Sequence, residues 1–185
     1  AGTYAVKSAA RVPFTKVVIQ NTSAVDATID SFKVVRGGSP AVNADFTTIN
    51  VLDESNSLLN DIGKTLNSDN MVTFTEDVVV KAGETRTLTL VGNMASGLTG
   101  GNVPTLGLYS LETPATVVAS LPVYGNGVTT NANVTLATVT LADLDTIGTV
   151  IKQVGSTNVN VALLKVQSPS EDVQLENVVL YNSGT

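Results

Sequence analysis

The chain contains no cysteine, no histidine and no tryptophan. Without cysteine there is neither a disulfide framework nor a thiolate metal site, so the compartment is not legible from redox chemistry. Without histidine and cysteine the usual nucleophile and base pairs of acyl transfer are ruled out, leaving Ser-Lys, Thr or carboxylate arrangements. Aromatic residues are only 4% of the chain, too few for the stacking platforms by which proteins commonly grip sugar faces. Charge is also sparse, at 14%, and the ten basic residues stand singly against sixteen acidic ones for a net charge of −6. Nucleic acid and anionic membrane surfaces both need clustered Lys and Arg, so neither is an expected partner. No apolar run approaches the ~20 residues of a membrane span, and no basic-then-apolar leader opens the chain.

What the chain does have is β-forming material. Thr, Val, Asn, Ser and Gly dominate, and 43% of its 185 residues are hydrophobic. A chain of this length buries roughly 70% of its unfolded surface, enough for one domain and a second small one. Alternating stretches bounded by turn residues predict strands over 16–21, 27–35, 47–52, 71–74, 77–80, 85–91, 105–110, 115–121 and 131–141. The turn at Ala82-Gly83 leads into the alternating strand over 85–91, with Leu88 and Leu90 on one face and Thr87 and Thr89 on the other. In "NVTLATVTL" the phase of Val134 and Leu136 differs from that of Val139 and Leu141, which predicts a bulge near Ala137. One stretch, "DESNSLLNDIGKTL", places Leu58, Leu59, Ile62 and Leu66 at helical spacing but reads equally as a hairpin with an Asp/Asn turn. Short strands between turns predict an all-β fold, a β-sandwich followed by a partial second β unit. The expected core is Val18, Ile29, Phe32, Val34, Ile49, Val51, Phe74, Leu88, Leu90, Leu106, Leu108, Val118, Val134, Leu136 and Val139.

The end of the chain repeats its beginning. Placing Gly2 on Gly148 pairs, without a gap, Thr3 with Thr149, Asp26 with Asp172 and Gly38 with Gly184. The same register pairs Val17-Val18 with Leu163-Leu164, Ile29 with Leu175 and Phe32 with Val178. Acids and apolar positions therefore stay in phase together. This divides the chain into a sandwich over 1–144 and a partial repeat over 145–185. Two or three strands cannot bury a core alone, so the partial repeat must complete a sheet in the same chain or in a neighbouring copy. A neighbour would make a homopolymer, with Val159, Val161, Leu163, Val173, Leu175, Val178 and Leu180 as subunit-interface residues. The other reading is a segment of a longer tandem array.

The frame "VVIQNTSAVDATIDSFKVV", followed downstream by "VKAGETRTLTLVGNM", resembles the Ig-like β-sandwich modules of prokaryotic surface-layer proteins and extracellular fibre or pilus subunits. The polar turn Asn21-Thr22-Ser23 after a first core strand, and the strand entered through Gly83-Glu84-Thr85, carry the resemblance. It implies an Ig-like, Greek-key sandwich, an extracellular or cell-surface location and a structural or adhesive role.

Chemistry offers little beside this. Lys7, Lys16, Lys33, Lys64, Lys81, Lys152 and Lys165 fall at strand or turn positions that read as solvated faces. Asp53 and Glu54 are adjacent and would point to opposite faces of a strand, which does not suit paired-carboxylate glycoside hydrolysis. "GLTGGNVPTLG" lacks the Lys-Ser/Thr of a phosphate loop. No catalytic residue is expected. Calcium is the one cofactor to weigh, since Asp45, the cluster Asp53, Glu54, Asn56, Asn60 and Asp61, and the pair Asp143 and Asp145 all offer hard oxygens. Asp143 and Asp145 fall at the junction of the two units, where they read either as an interdomain ion site or as a plain acidic turn or cap. Asn21 and Asn133 fit the glycan acceptor pattern. Isopeptide cross-links, which occur in surface sandwiches of the kind this chain resembles, would have Lys16, Lys33 and Lys81 as candidates. Three functions remain open: a self-assembling structural subunit, a carbohydrate- or surface-binding module, and a passive spacer of a larger adhesin.

Overall fold

The computed structural model describes residues 4–60, 62–136, 139–143, 151, 153–159 and 163–168. Its elements in chain order are β1 (Tyr4–Val6), β2 (Val12–Gln20), β3 (Ala27–Ile29), β4 (Ser31–Ser39), a 3-10 turn (Asn43–Asp45), β5 (Phe46–Leu52), β6 (Met71–Phe74), β7 (Val78–Val80), β8 (Thr85–Met94), β9 (Val103–Glu112), β10 (Val123–Tyr124), β11 (Thr129–Asn131), β12 (Thr140–Asp143) and β13 (Leu164–Gln167). The fold is all-β and sandwich-like. It contains one three-stranded antiparallel sheet in the order β2-β8-β5, one four-stranded antiparallel sheet in the order β10-β9-β4-β6, and two-stranded pairings of β3 with β7 and β1 with β11. The interior-facing residues of the two larger sheets form one core, in which Leu88, Leu90, Ile49 and Val51 of the first join Phe32, Val34, Phe74, Leu106 and Leu108 of the second. All four phenylalanines are buried. Phe14 meets Phe46 edge-on at 5.3 Å, and Phe32 stacks on Phe74 at 5.2 Å.

Contacts divide the chain into two compact units, Ala1–Leu136 and Ala137–Thr185. The division falls earlier than the boundary expected at 144, because β12 pairs with β13 in antiparallel register, Thr140 opposite Gln167 and Asp143 opposite Leu164.

The continuous strand expected over 27–35 is two strands. At Asp30 the chain leaves the β3-β7 pair, and its backbone N–H donates to the Glu112 carbonyl, so β4 enters the larger sheet between β9 and β6. The ambiguous stretch after β5 is a hairpin-like return. The Leu59 N–H donates to the Val51 carbonyl, and Lys64 and Ile49 exchange two backbone hydrogen bonds of 2.7 and 3.0 Å. The turn at Ala82-Gly83 forms as expected, closed by the Glu84 N–H on the Lys81 carbonyl, with Gly83 at φ +72°.

Five expected core positions are corrected. Val18 is 63% exposed. In β2 the register passes from Pro13 opposite Val91 to Thr15 opposite Leu90, so Phe14 has no counterpart and the strand bulges. Val12 and Phe14 face inward before the bulge; after it the inward phase belongs to Thr15, Val17 and Ile19, and Val18 turns out. Val118 is 95% exposed because residues 115–121 form no strand. Val134, Leu136 and Val139 are exposed as well; among the described residues of the strand expected over 131–141, only Asn131, at the end of β11, and Thr140–Leu141, in β12, are strand. The bulge expected at Ala137 lies outside the described residues.

Candidate functional site: the open edge of β2

The two edges of the three-stranded sheet are treated differently. The outer edge of β5 is covered by the returning chain, where Ser57, Leu59 and Lys64 bond back to Asp53, Val51 and Ile49, and the buried Asn60 side chain accepts from the Val51 N–H and donates to the Ile62 carbonyl. The outer edge of β2 is not covered in this way. Among the described residues β2 pairs with β8 alone. At its bulge the space beside it is filled, since the Gly125 N–H donates to the Thr15 hydroxyl, which itself donates to the Leu106 carbonyl. A Cβ on Gly125 would overlap the Phe14 carbonyl, so only glycine passes there. Beyond the bulge, from Lys16 to Gln20, the edge faces a groove of about 700 Å³.

The groove is built by three elements besides β2. Val17 and Ile19 line its β2 side, Ile29 and Val80 of the β3-β7 pair close one end, and Leu108 and Leu111 of β9 form the opposite wall. Leu111 reaches it because β9 also bulges. Lys33 lies opposite Ser110 and Val34 opposite Leu108, leaving Tyr109 over and shifting the inward phase. The rim is the segment Ala115–Leu121. Thr116, Val117, Val118, Ala119 and Ser120 are all exposed, and among the described residues none of their backbone groups bonds to another backbone group. This run of β-formers therefore lies beside an open strand edge without a strand partner. Lys16 is the one charged residue of the lining. The groove can offer a partner apolar contact and the free backbone of β2. Sequence reasoning mistook the rim for a core strand. The warning lay in Pro114 and Pro122, which bracket it, because proline is poorly tolerated inside central strands.

The oxygen-rich residues that suggested calcium are largely spent on the fold. Asp45 is buried, pairing with Arg36 at 3.0 Å and accepting from Asn102 at 2.9 Å. Asp53 accepts from the Ser55 and Ser57 N–H groups in a tight turn. Glu54 accepts from Arg86 at 2.8 Å and from the Thr87 N–H at 2.7 Å, and these bonds hold its carboxyl down to about 2. Among the described residues no three His, Cys, Asp or Glu side chains gather as a metal site would require. The backbone of Asp143 ends β12, and Asp145 lies outside the described residues.

Asn21 is buried and engaged. Its Nδ2 donates to the carbonyls of Val25 and Val80, while its Oδ1 accepts from the Ser23 N–H and hydroxyl. The nitrogen that would carry a glycan is thus hydrogen-bonded within the fold at Asn21, whereas Asn133 is exposed. Of the lysines, Lys64 has the most built surroundings, 3.0 Å from Glu76 and over the Phe74 ring. Of the expected interface residues, Leu163 is exposed and Val159 half-buried, whereas Val161, Val173, Leu175, Val178 and Leu180 lie outside the described residues.

No protein-family model, no curated protein and no solved structure matches the chain. Among the described residues no helix is long and apolar enough to cross a membrane.

Proposed function

We propose that this chain is a structural subunit of the cell surface that assembles head to tail with copies of itself, by strand addition, into an extracellular filament or surface layer. The observation that carries the reading is the unpaired edge of β2 beside an apolar groove. A bare strand edge is a template for another chain, and one flanked by apolar pockets also selects the side chains of the strand it accepts. The second unit supplies a reason for a copy to come. Its β12-β13 pair leaves Leu141 and Leu164 exposed, and a two-stranded pair is marginal on its own. A contact between unlike surfaces repeats without closing, which gives fibres or layers. The sparse charge and the partial copy of the beginning at the end are in keeping with this role, as is the resemblance to Ig-like modules of prokaryotic surface proteins.

The test is negative-stain microscopy and light scattering of the full chain over a range of concentrations, with and without a calcium chelator. Ordered filaments or sheets are the expected result, and Val18→Lys, on an already exposed position of β2, should abolish them while leaving the far-UV circular dichroism unchanged. Loss of the assemblies on chelation would show that they need a divalent cation, for which Asp143 and Asp145 are the residues to substitute next. A chain that stays monomeric at every concentration would sink the proposal.

A further inference from the structure

The chain between β10 and β11 is held at both ends and free in the middle. At one end the Gly125 N–H donates to the Thr15 hydroxyl at 2.9 Å, and at the other the N–H of the buried Val128 donates to the Pro104 carbonyl at 3.2 Å. Between these anchors stand Asn126 and Gly127, both exposed. Among the described residues neither the Asn126 side chain nor the Gly127 N–H has a hydrogen-bond partner. Elsewhere asparagine amides are engaged: the Nδ2 groups of Asn21, Asn43, Asn60, Asn93 and Asn102 all donate within the fold. Asn126 is also the only asparagine in the sequence that glycine follows. That neighbour matters, because a residue without Cβ lets its nitrogen approach the preceding side chain and adopts the backbone angles this needs.

We infer that Asn126 and Gly127 form a self-modification site, which reacts with water to give aspartate and isoaspartate at position 126. The Gly127 nitrogen bonds to Cγ of Asn126 as the bond from Cγ to Nδ2 breaks, and Nδ2 leaves as ammonia with the Gly127 amide proton. Water then opens the cyclic imide at either carbonyl. Opening at Cγ gives aspartate; opening at the backbone carbonyl routes the chain through Cβ and Cγ and lengthens it by one carbon. No oxidant, reductant or second copy of the chain takes part. The fold has no slack for the longer chain, since a Cβ on Gly125 would overlap the Phe14 carbonyl and one on Gly127 would come within 2.6 Å of Val103 Cγ1. Isoaspartate therefore pulls Gly125 from the Thr15 hydroxyl and loosens the filled end of the groove, beside the bulge of β2.

The test is to age the folded full chain at mildly alkaline and mildly acidic pH, follow it by isoelectric focusing, and locate the product by peptide mass spectrometry. A form with one further negative charge should accumulate, faster at the higher pH because the attacking nitrogen must give up its proton. The mass gain of an amide-to-acid exchange should fall on Asn126. Asn126→Gln, a mild change at an exposed position, should remove the acidic form, since the longer side chain must close a larger ring. The aged protein should melt about 2–4 °C below the fresh one, the shift that losing roughly one hydrogen bond makes in a chain of this length. Asn126→Asp, with the charge but the ordinary backbone, should melt with the fresh protein. A folded chain that stays unmodified while the same chain in urea is modified would overturn the inference, by showing that the fold holds the turn out of reach. An acidic form that maps to another asparagine would overturn it too. Aged protein that is modified at Asn126 yet melts with Asn126→Asp would overturn the strain on Gly125.

Discussion

The guanidinium of Arg36 lies 3.0 Å from the carboxylate of Asp45, and both side chains are sealed from solvent. The pair joins β4 to the 3-10 turn before β5, and Asn102 extends it to the loop before β9. Arg36 also donates to the Gly38 carbonyl, and the Asp45 carbonyl accepts from the Ala95 N–H. Removing one partner strands the other charge in the core. Asp45→Ala should therefore cost about 3–5 kcal/mol in urea unfolding, whereas Arg36→Met with Asp45→Leu should recover most of that loss. A single substitution costing under about 1 kcal/mol would mean that water reaches the pair.

The bulge in β2 makes neighbouring valines opposite in effect. Val17 is 7% exposed and Val18 63%. Val17→Ala should cost about 2 kcal/mol through lost burial and the cavity left behind. Val18→Thr should change monomer stability by no more than about 0.5 kcal/mol. Equal costs at the two positions, measured by chemical denaturation, would place the bulge elsewhere.

Glu54 gives the stability a pH dependence of known sign. Its carboxyl is held down to about 2 from an ordinary 4.5, first by the Arg86 side chain and then by the Thr87 N–H. The folded state thus keeps this group ionised where the unfolded chain has begun to protonate. The stabilisation is complete above about 4.5 and is lost as the pH falls toward 2. Since the side chain is 42% exposed, solvent screening limits the effect to about 1 kcal/mol or less. Comparing thermal midpoints of Glu54→Gln and the parent from pH 7 to pH 2 checks this: the parent's advantage should shrink below pH 4.5 and vanish near pH 2.

Asn21 works as a clamp between β2, the following turn and β7. Asn21→Ala removes the donor to the Val25 and Val80 carbonyls and the acceptor of the Ser23 N–H. The expected cost is about 1–3 kcal/mol. Asn21→Asp should be nearly as costly, because a carboxylate cannot donate to either carbonyl. Mass spectrometry of protein from a glycosylating host should find Asn21 unmodified.

Where the sequence was legible, the reason is local. The alternation of Leu88 and Leu90 with Thr87 and Thr89 appears unchanged in β8, because that strand is paired on both sides and keeps its phase through that stretch. Residues 71–74 and the turn at Gly83 were legible for the same cause: the signal lies within a few neighbouring residues. The β2 edge was not. Its inward phase depends on Leu90 and Val91, far along the chain, and on how many residues β2 spends opposite them. The Arg36–Asp45 pair was equally hidden, since an isolated arginine and an isolated aspartate read as surface residues until the fold encloses them.

The sequence by itself determined the class of the fold, because period-two alternation, abundant β-branched residues and turn glycines favour extended chain wherever they stand. Only the tertiary structure decided which face of each strand is interior, since one unpaired residue at Phe14 or Tyr109 reverses every side chain beyond it. It also decided where the groove lies. A free edge is the want of a neighbour, a property of how sheets are ordered in space; among the described residues β2 has a neighbour on one side only, and the one local sign of it is Pro13, a residue that central strands tolerate poorly.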